Sequence, residues 1–178
     1  MSEASEPQIV IRPARPSDAG AYLKLVEAFA EYERLPPPDP EARTRLIDHL
    51  FRDRPYYRLL VAEVDKNIVG YAAHTVAYST FQARPTLLLE DIFVLPEYRK
   101  LRIGHRLFAY CAKTAVADGC GRMDFLVLDW NRVALDFYER HSVACLRNWL
   151  LHRLEGEGLH RVAALGPKEL GNSNGREG

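Results

Sequence analysis

Cysteine is scarce in this chain. Cys111, Cys120 and Cys145 are widely spaced, odd in number and include no CxxC pair. That pattern argues against a disulfide framework or a thiolate zinc site and points to reduced thiols, the state expected in the cytoplasm. The six histidines show no metal-ligand spacing, so no metal is expected. Neither sign of charge is in excess, with 24 Lys and Arg against 24 Asp and Glu. No overall field therefore draws the chain to nucleic acid or to an anionic membrane, and neither partner is expected. No apolar run approaches the roughly 20 residues that span a bilayer. The N-terminus, MSEASEPQ, is acidic and polar and lacks the pattern of a signal peptide.

What is present is an ordinary globular composition, 47% hydrophobic and 27% charged over 178 residues. That length suits a single domain. Residues 9–165 are expected to form it, with 1–8 disordered and the Gly-rich 166–178 a flexible tail.

Ile9–Arg12 alternates apolar and polar residues and predicts a first strand. Ser17 or Asp18 is placed to cap a helix striped by Tyr22, Leu25, Val26 and Phe29. Pro36-Pro37-Pro38 ends that helix, because proline lacks the donor that would continue it. A second helix is predicted from Pro40 to Phe51. Strands follow at Tyr57–Asp65, Ile68–Tyr78 and Thr86–Val94, the first two joined by a hairpin turn at Asp65-Lys66-Asn67. A helix striped by Ile103, Leu107, Tyr110, Cys111, Thr114 and Ala115 stops at Gly119. Strands at Met123–Leu128 and Trp149–Leu154, with short helices at Ala134–Arg140 and Leu159–Leu165, complete a mixed α/β sheet.

The most informative stretch runs from Leu87 to Leu107. An apolar strand breaks at Pro96, a basic loop follows (Arg99, Lys100, Leu101, Arg102, Ile103, Gly104), and a helix begins. Such a loop aims backbone N–H groups at an anion, and the helix N-terminus adds about half a positive charge. The stretch suits a phosphate; it also suits a plain strand-to-helix turn with a solvated basic face.

LEDIFVLPEYR (Leu89–Arg99), VLDWN (Val127–Asn131), DFYER (Asp136–Arg140) and AEYE (Ala30–Glu33) occur in this order and spacing. With that set of segments the chain resembles the GNAT superfamily of N-acetyltransferases. Within it the chain is similar to the diamine acetyltransferase branch, which includes spermidine/spermine and thialysine acetyltransferases. The resemblance covers roughly Ile9 to Leu165. It implies an α/β GNAT fold with a mixed central sheet of six to seven strands, splayed between the two central parallel strands. It further implies acetyl-CoA as cosubstrate, a small-molecule amine as acceptor and a homodimer.

By that resemblance Ile92, Phe93 and Val94 offer main-chain groups to the pantetheine. The loop Arg99 to Gly104, with His105 and Arg106, takes the pyrophosphate. Asn131 contacts the cosubstrate, and Tyr138 sets its hydroxyl by the thioester sulfur as general acid. Glu90 is the candidate base or amine orienter, and Tyr32 and Glu33 face the acceptor. Each residue also has a plainer role open to it. Glu90 is a plausible strand-end charge, Tyr138 a core filler, Asn131 a helix cap, and Tyr32 and Glu33 an exposed helix end.

Three departures from the family pattern stand out. Arg102 occupies the place of the loop's first Gly. If that position needs positive φ, the side chain costs about 1–2 kcal/mol. Ser142 stands where a Gly commonly ends the helix of Tyr138. The segment Tyr78 to Pro85 lacks the acidic residue that polyamine-type members tend to carry, Thr80 being nearest, which favours a smaller or lysine-like amine. The rival readings are an acyl-CoA-binding module with little or no catalysis, motivated by Arg102, and a protein N-acetyltransferase.

Overall fold

The computed structural model describes residues 7–166, so the expectations for 1–6 and 167–178 lie outside the described residues. The chain divides between Leu128 and Asp129 into two compact units.

The first unit is built on one mixed sheet in the order β1-β2-β3-β4-β5, comprising β1 (Ile9–Pro13), β2 (Arg58–Val64), β3 (Asn67–Ser79), β4 (Arg84–Val94) and β5 (Arg122–Phe125). The first four strands pair antiparallel, and β5 pairs parallel with β4. A two-residue turn, Asp65-Lys66, joins β2 to β3 with φ of 47° and 69°. Positive φ at both positions lets a hairpin follow the twist of its strands.

Helices cover both faces of this sheet. α3 (Ile103–Ala117) lays Ile103, Leu107, Cys111 and Ala115 on Leu60, Ala72, Leu87 and Leu89. Those four α3 residues recur every four positions, which keeps one stripe against the strands. α1 (Ala19–Glu33) and α2 (Pro40–Phe51) cover the opposite face, where Tyr22, Leu25 and Leu50 pack with Leu59, Val61, Tyr71 and Phe93. Asp39 caps α2 by accepting from the Ala42 N–H at 2.7 Å, and Pro40 opens its first turn, where a missing N–H costs nothing.

Asp18 does not cap α1 with its side chain. Its carboxylate takes the Arg12 guanidinium in a two-pronged contact at 2.7 and 3.0 Å and the Arg15 N–H at 2.7 Å. Arg12 also donates to Glu63 on β2 at 2.9 Å. A buried charge needs such partners more than a helix end in water does.

The second unit holds α4 (Arg132–Glu139) and α5 (Gly156–Ala163). The strand expected at Trp149–Leu154 is absent, so the sheet has five strands rather than six to seven. Trp149, Leu150 and Leu151 are exposed and pair with no strand among the described residues. An apolar run supplies the side chains of a strand, but not the neighbouring backbone that a ladder needs. The strand expected at Met123–Leu128 is also shorter, ending at Phe125.

Hydrogen bonds from Arg12, working against burial, hold the Asp18 carboxyl below the ordinary carboxylate range. A depressed carboxyl stabilises the fold above its unfolded value of about 3.9, and that contribution is lost as pH falls through the folded value. Asp18→Asn should therefore cost about 1–3 kcal/mol at neutral pH. The gap to wild type should close below about pH 4, as read from urea midpoints across a pH series.

Candidate active site

The parallel ladder of β4 and β5 pairs Thr86 with Arg122, Leu87 with Met123, Leu88 with Asp124 and Leu89 with Phe125, and there it stops. β4 runs on to Val94, so among the described residues Glu90 to Val94 have no strand partner on that edge, while β3 pairs the other side of Asp91 to Val94. This is the splay that the resemblance implies. Ile92, Phe93 and Val94 lie on the open stretch, and a strand edge without a partner presents backbone donors and acceptors.

A bulge coincides with the start of the opening. Leu89 pairs with His74 and Asp91 with Ala73, leaving Glu90 with no residue opposite. Leu89, Ile92 and Val94 pack on the α3 side, whereas Phe93 packs on the α1 side. The extra residue resets the alternation and turns Glu90 and Asp91 toward α1 together.

Glu90 is exposed and Asp91 half-buried. Burial first, then the charges of Glu90 and Glu33, push the Asp91 carboxyl up to about 6, with Tyr71 pulling weakly the other way. The Tyr71 hydroxyl is buried and makes no hydrogen bond of ordinary geometry, so its approach to Asp91 is a loose one. Tyr22 is hydrogen-bonded to Tyr57, and burial foremost raises both phenols. Burial likewise raises the Glu33 carboxyl at the end of α1. Glu33 and Glu90, both expected from sequence, thus share one electrostatic neighbourhood with Asp91. Asp91 itself escaped the sequence reading; the available signal was a second carboxylate inside an otherwise apolar strand.

An aromatic floor lies under these carboxylates. Tyr22 and Tyr71 meet edge to face at 5.1 Å, Phe29 and Phe93 lie 5.2 Å apart, and Tyr32 and Phe93 lie 6.2 Å apart. The Arg99 guanidinium sits 4.7 Å over the Tyr32 ring, and its Nε donates to the Val94 carbonyl at 3.1 Å. Arg99 therefore ties the end of α1 to the end of β4.

After β4 a 3₁₀ turn, Pro96–Leu101, leads into α3. Leu101 and Ile103 turn inward to the α3-side core, while Lys100, Arg102 and Arg106 are exposed. Arg106 donates to the Ile9 carbonyl at 3.4 Å. Arg102 is left-handed, with φ 58° and ψ 23°, and its side chain does not cap α3. The position thus demands a glycine-like backbone, and Arg102 supplies it at a cost. At Gly104 an added Cβ would meet no neighbouring atom within 4 Å, so packing does not require glycine there. A helix start without a side-chain cap, with Gly104 in its first turn and neighbouring cations, fits a diphosphate.

In the second unit Asn131 caps α4 through its Oδ1, accepting from the Ala134 N–H at 3.2 Å. Tyr138 lies buried on α4. Its carbonyl accepts from His141 and Val143, and Ser142 between them is left-handed at φ 56°. Among the described residues no group of three or more His, Cys, Asp or Glu is placed to hold a metal. No helix among them is long and apolar enough to cross a membrane.

Comparison with known proteins agrees with this geometry. Residues 23–142 match the profile of the acetyltransferase (GNAT) family. A thialysine N-epsilon-acetyltransferase from Bos taurus is 34% identical over 87% of this chain and 97% of its own length. An L-ornithine N5-acetyltransferase from Arabidopsis thaliana is 32% identical over 71% of this chain and 56% of its own length. An integron cassette protein from the mobile metagenome of V. cholerae shares the fold. Its TM-score is 0.74 at 20% identity, covering 88% of this chain and 98% of that one. The chain belongs to the GNAT family of acetyltransferases, a family that uses acetyl-CoA.

Two outcomes follow from this geometry. Arg102→Gly and Arg102→Ala remove the same side chain, but only glycine accepts positive φ freely, so the glycine variant should be the more stable by about 1 kcal/mol in urea unfolding. Glu90→Gln removes a like charge beside Asp91 and should lower the Asp91 titration midpoint, followed by carboxyl-carbon NMR.

Proposed function

We propose that this protein moves an acetyl group from acetyl-CoA to the primary amine of a small molecule, a lysine-like amino acid or diamine, as a homodimer in the cytoplasm. The observation that carries the reading is the coincidence of three features at one point of β4: the end of the parallel ladder, the bulge at Glu90 and the paired carboxylates Glu90 and Asp91. The open edge suits a thioester arm laid along it, and the carboxylates suit the cation that must be deprotonated beside it.

A primary amine has a pKa of about 10.4 in water and is almost wholly protonated at neutral pH. Glu33, Glu90 and Asp91 attract that cation, while the Tyr32 ring covers its methylenes. Glu90, exposed at the bulge, accepts the proton directly or through water, or orients the amine. Asp91 beside it sharpens the negative field. Bound acetyl-CoA supplies the activated acyl carbonyl and a thiolate leaving group. The main chain of Ile92, Phe93 and Val94 holds the pantetheine. Arg99, Lys100, Leu101, Arg102, Ile103 and Gly104, with His105 and Arg106, surround the diphosphate. Asn131 adds a contact to the cosubstrate, and Tyr138 is the general acid for the leaving sulfur. No covalent enzyme intermediate is needed, so a Ser/His/Asp arrangement is not called for.

Two considerations favour a lysine-like acceptor over a long polycation. Similarity to thialysine and ornithine acetyltransferases leads toward amino acids with a side-chain amine. Thr80 leaves the β3–β4 connection without an acidic side chain to extend the anionic surface.

Steady-state turnover with acetyl-CoA should be faster on thialysine, lysine and ornithine than on spermidine. Tyr138→Phe should lower kcat about 10–10⁴-fold with little change in the KM for amine. Coenzyme A binding without turnover on any of these amines would replace the reading with that of an acyl-CoA-binding module. Unchanged kcat in Tyr138→Phe would remove the general-acid role.

A further inference from the structure

A second site lies elsewhere in the first unit. Between the α2–β2 connection and α3 is a cleft of about 310 Å³. We propose that it binds a small carboxylate with an apolar body the size of one ring, its head held by Arg58 and His74. This does not depend on the acetyl-transfer reading.

Register places Arg58 directly opposite His74 on β2 and β3, so both side chains emerge on one face of the sheet. That face carries α3, whereas Glu90 and Asp91 face α1. The strands therefore separate the two groups of residues. His74 is only 2% exposed, lines the cleft, and its Nδ1 has no hydrogen-bond partner among the described residues. Buried polar nitrogens are almost always satisfied, and the exceptions mark places where a ligand or water completes the structure. Asp118 holds one Nη of Arg58 at 2.7 Å and thereby aims the guanidinium, whose remaining N–H groups stay available. Burial foremost, and then the Arg58 charge, lower the His74 pKa, so at neutral pH the ring is uncharged and keeps one N–H to donate.

The polar inventory is rich in donors: the guanidinium, the imidazole, and the hydroxyls of Tyr110 and Thr114 from α3. Leu60, which packs on the α3 side, and its ladder partner Pro13 supply apolar walls. An ammonium group has no lone pair to accept from the guanidinium or the imidazole N–H, and an alcohol oxygen accepts from them without charge assistance. A carboxylate uses both Arg58 and His74 through charge-assisted hydrogen bonds, and the volume limits its body to about one ring.

The test uses the full chain titrated with phenylacetate, benzyl alcohol and benzylamine, followed by the His74 imidazole nitrogens in NMR and by calorimetry. Phenylacetate should shift the His74 resonances and raise the His74 titration midpoint, because its charge offsets the neighbouring guanidinium. It should bind at least about tenfold more tightly than either neutral or cationic analogue. Arg58→Gln, a change at an exposed side chain, should weaken phenylacetate about tenfold or more. The double variant with Asp118→Asn should show the same loss, which sets aside simple repulsion by a freed Asp118. The proposal is overturned if millimolar phenylacetate leaves His74 unmoved, if the three ligands bind equally, or if the double variant recovers wild-type affinity.

Discussion

The site rests on a mismatch of strand lengths. β4 has 11 residues and β5 four, so more than a third of β4 is left without a neighbour on that edge. Backbone N–H and C=O groups on a central strand are not left unsatisfied in a stable protein unless water or a ligand reaches them. The edge along Glu90 to Val94 therefore opens to water or to a ligand, apart from the Val94 carbonyl, which accepts from Arg99. The bulge at Glu90 falls at the same point, so one local irregularity both starts the opening and turns two carboxylates to one face. The placing of Glu90 and Asp91 follows from that superposition.

Packing then decides how strongly each carboxylate is perturbed. Glu90 stays in water, whereas Asp91 sits against Tyr71 and Tyr22 and loses much of its hydration. Burial outweighs the neighbouring negative charges in raising Asp91, so removing Glu90 leaves the larger cause in place. Such a residue costs stability when ionised, and groups of this kind concentrate where an active site uses them. Arg99 is a nearby cation, but its guanidinium lies over Tyr32 and its Nε is committed to Val94.

Much of this was legible in the sequence, for identifiable reasons. α2 was readable because Pro40 marks its first turn, and α3 because its apolar stripe repeats every four positions. Trp149–Leu154 was misread because apolar character says nothing about a backbone partner. Asp18 was misread because its strongest bonds go to Arg12 and Arg15, contacts that depend on the turn between β1 and α1. Asp91 stayed hidden because its importance comes from a register slip against β3, which periodicity within one strand cannot reveal. Asn131 was open to two readings, and the cap that it makes to Ala134 satisfies one of them without using its amide nitrogen.

The two positions where a family glycine is missing carry the last argument. Arg102 and Ser142 both adopt the left-handed backbone that glycine takes freely, at φ 58° and 56°. Each side chain costs about 1–2 kcal/mol there, yet in neither place has the chain found a relaxed alternative. The turn into α3 and the turn out of α4 are therefore fixed by their surroundings rather than by the residue at the bend. At Arg102 those surroundings are Ile103 and Leu107, locked into the core directly after it. The direction of the first-turn N–H groups of α3 is set by that buried stripe. Arginine in place of glycine changes the stability of the loop and the charge beside it, while the direction in which the helix start points stays the same.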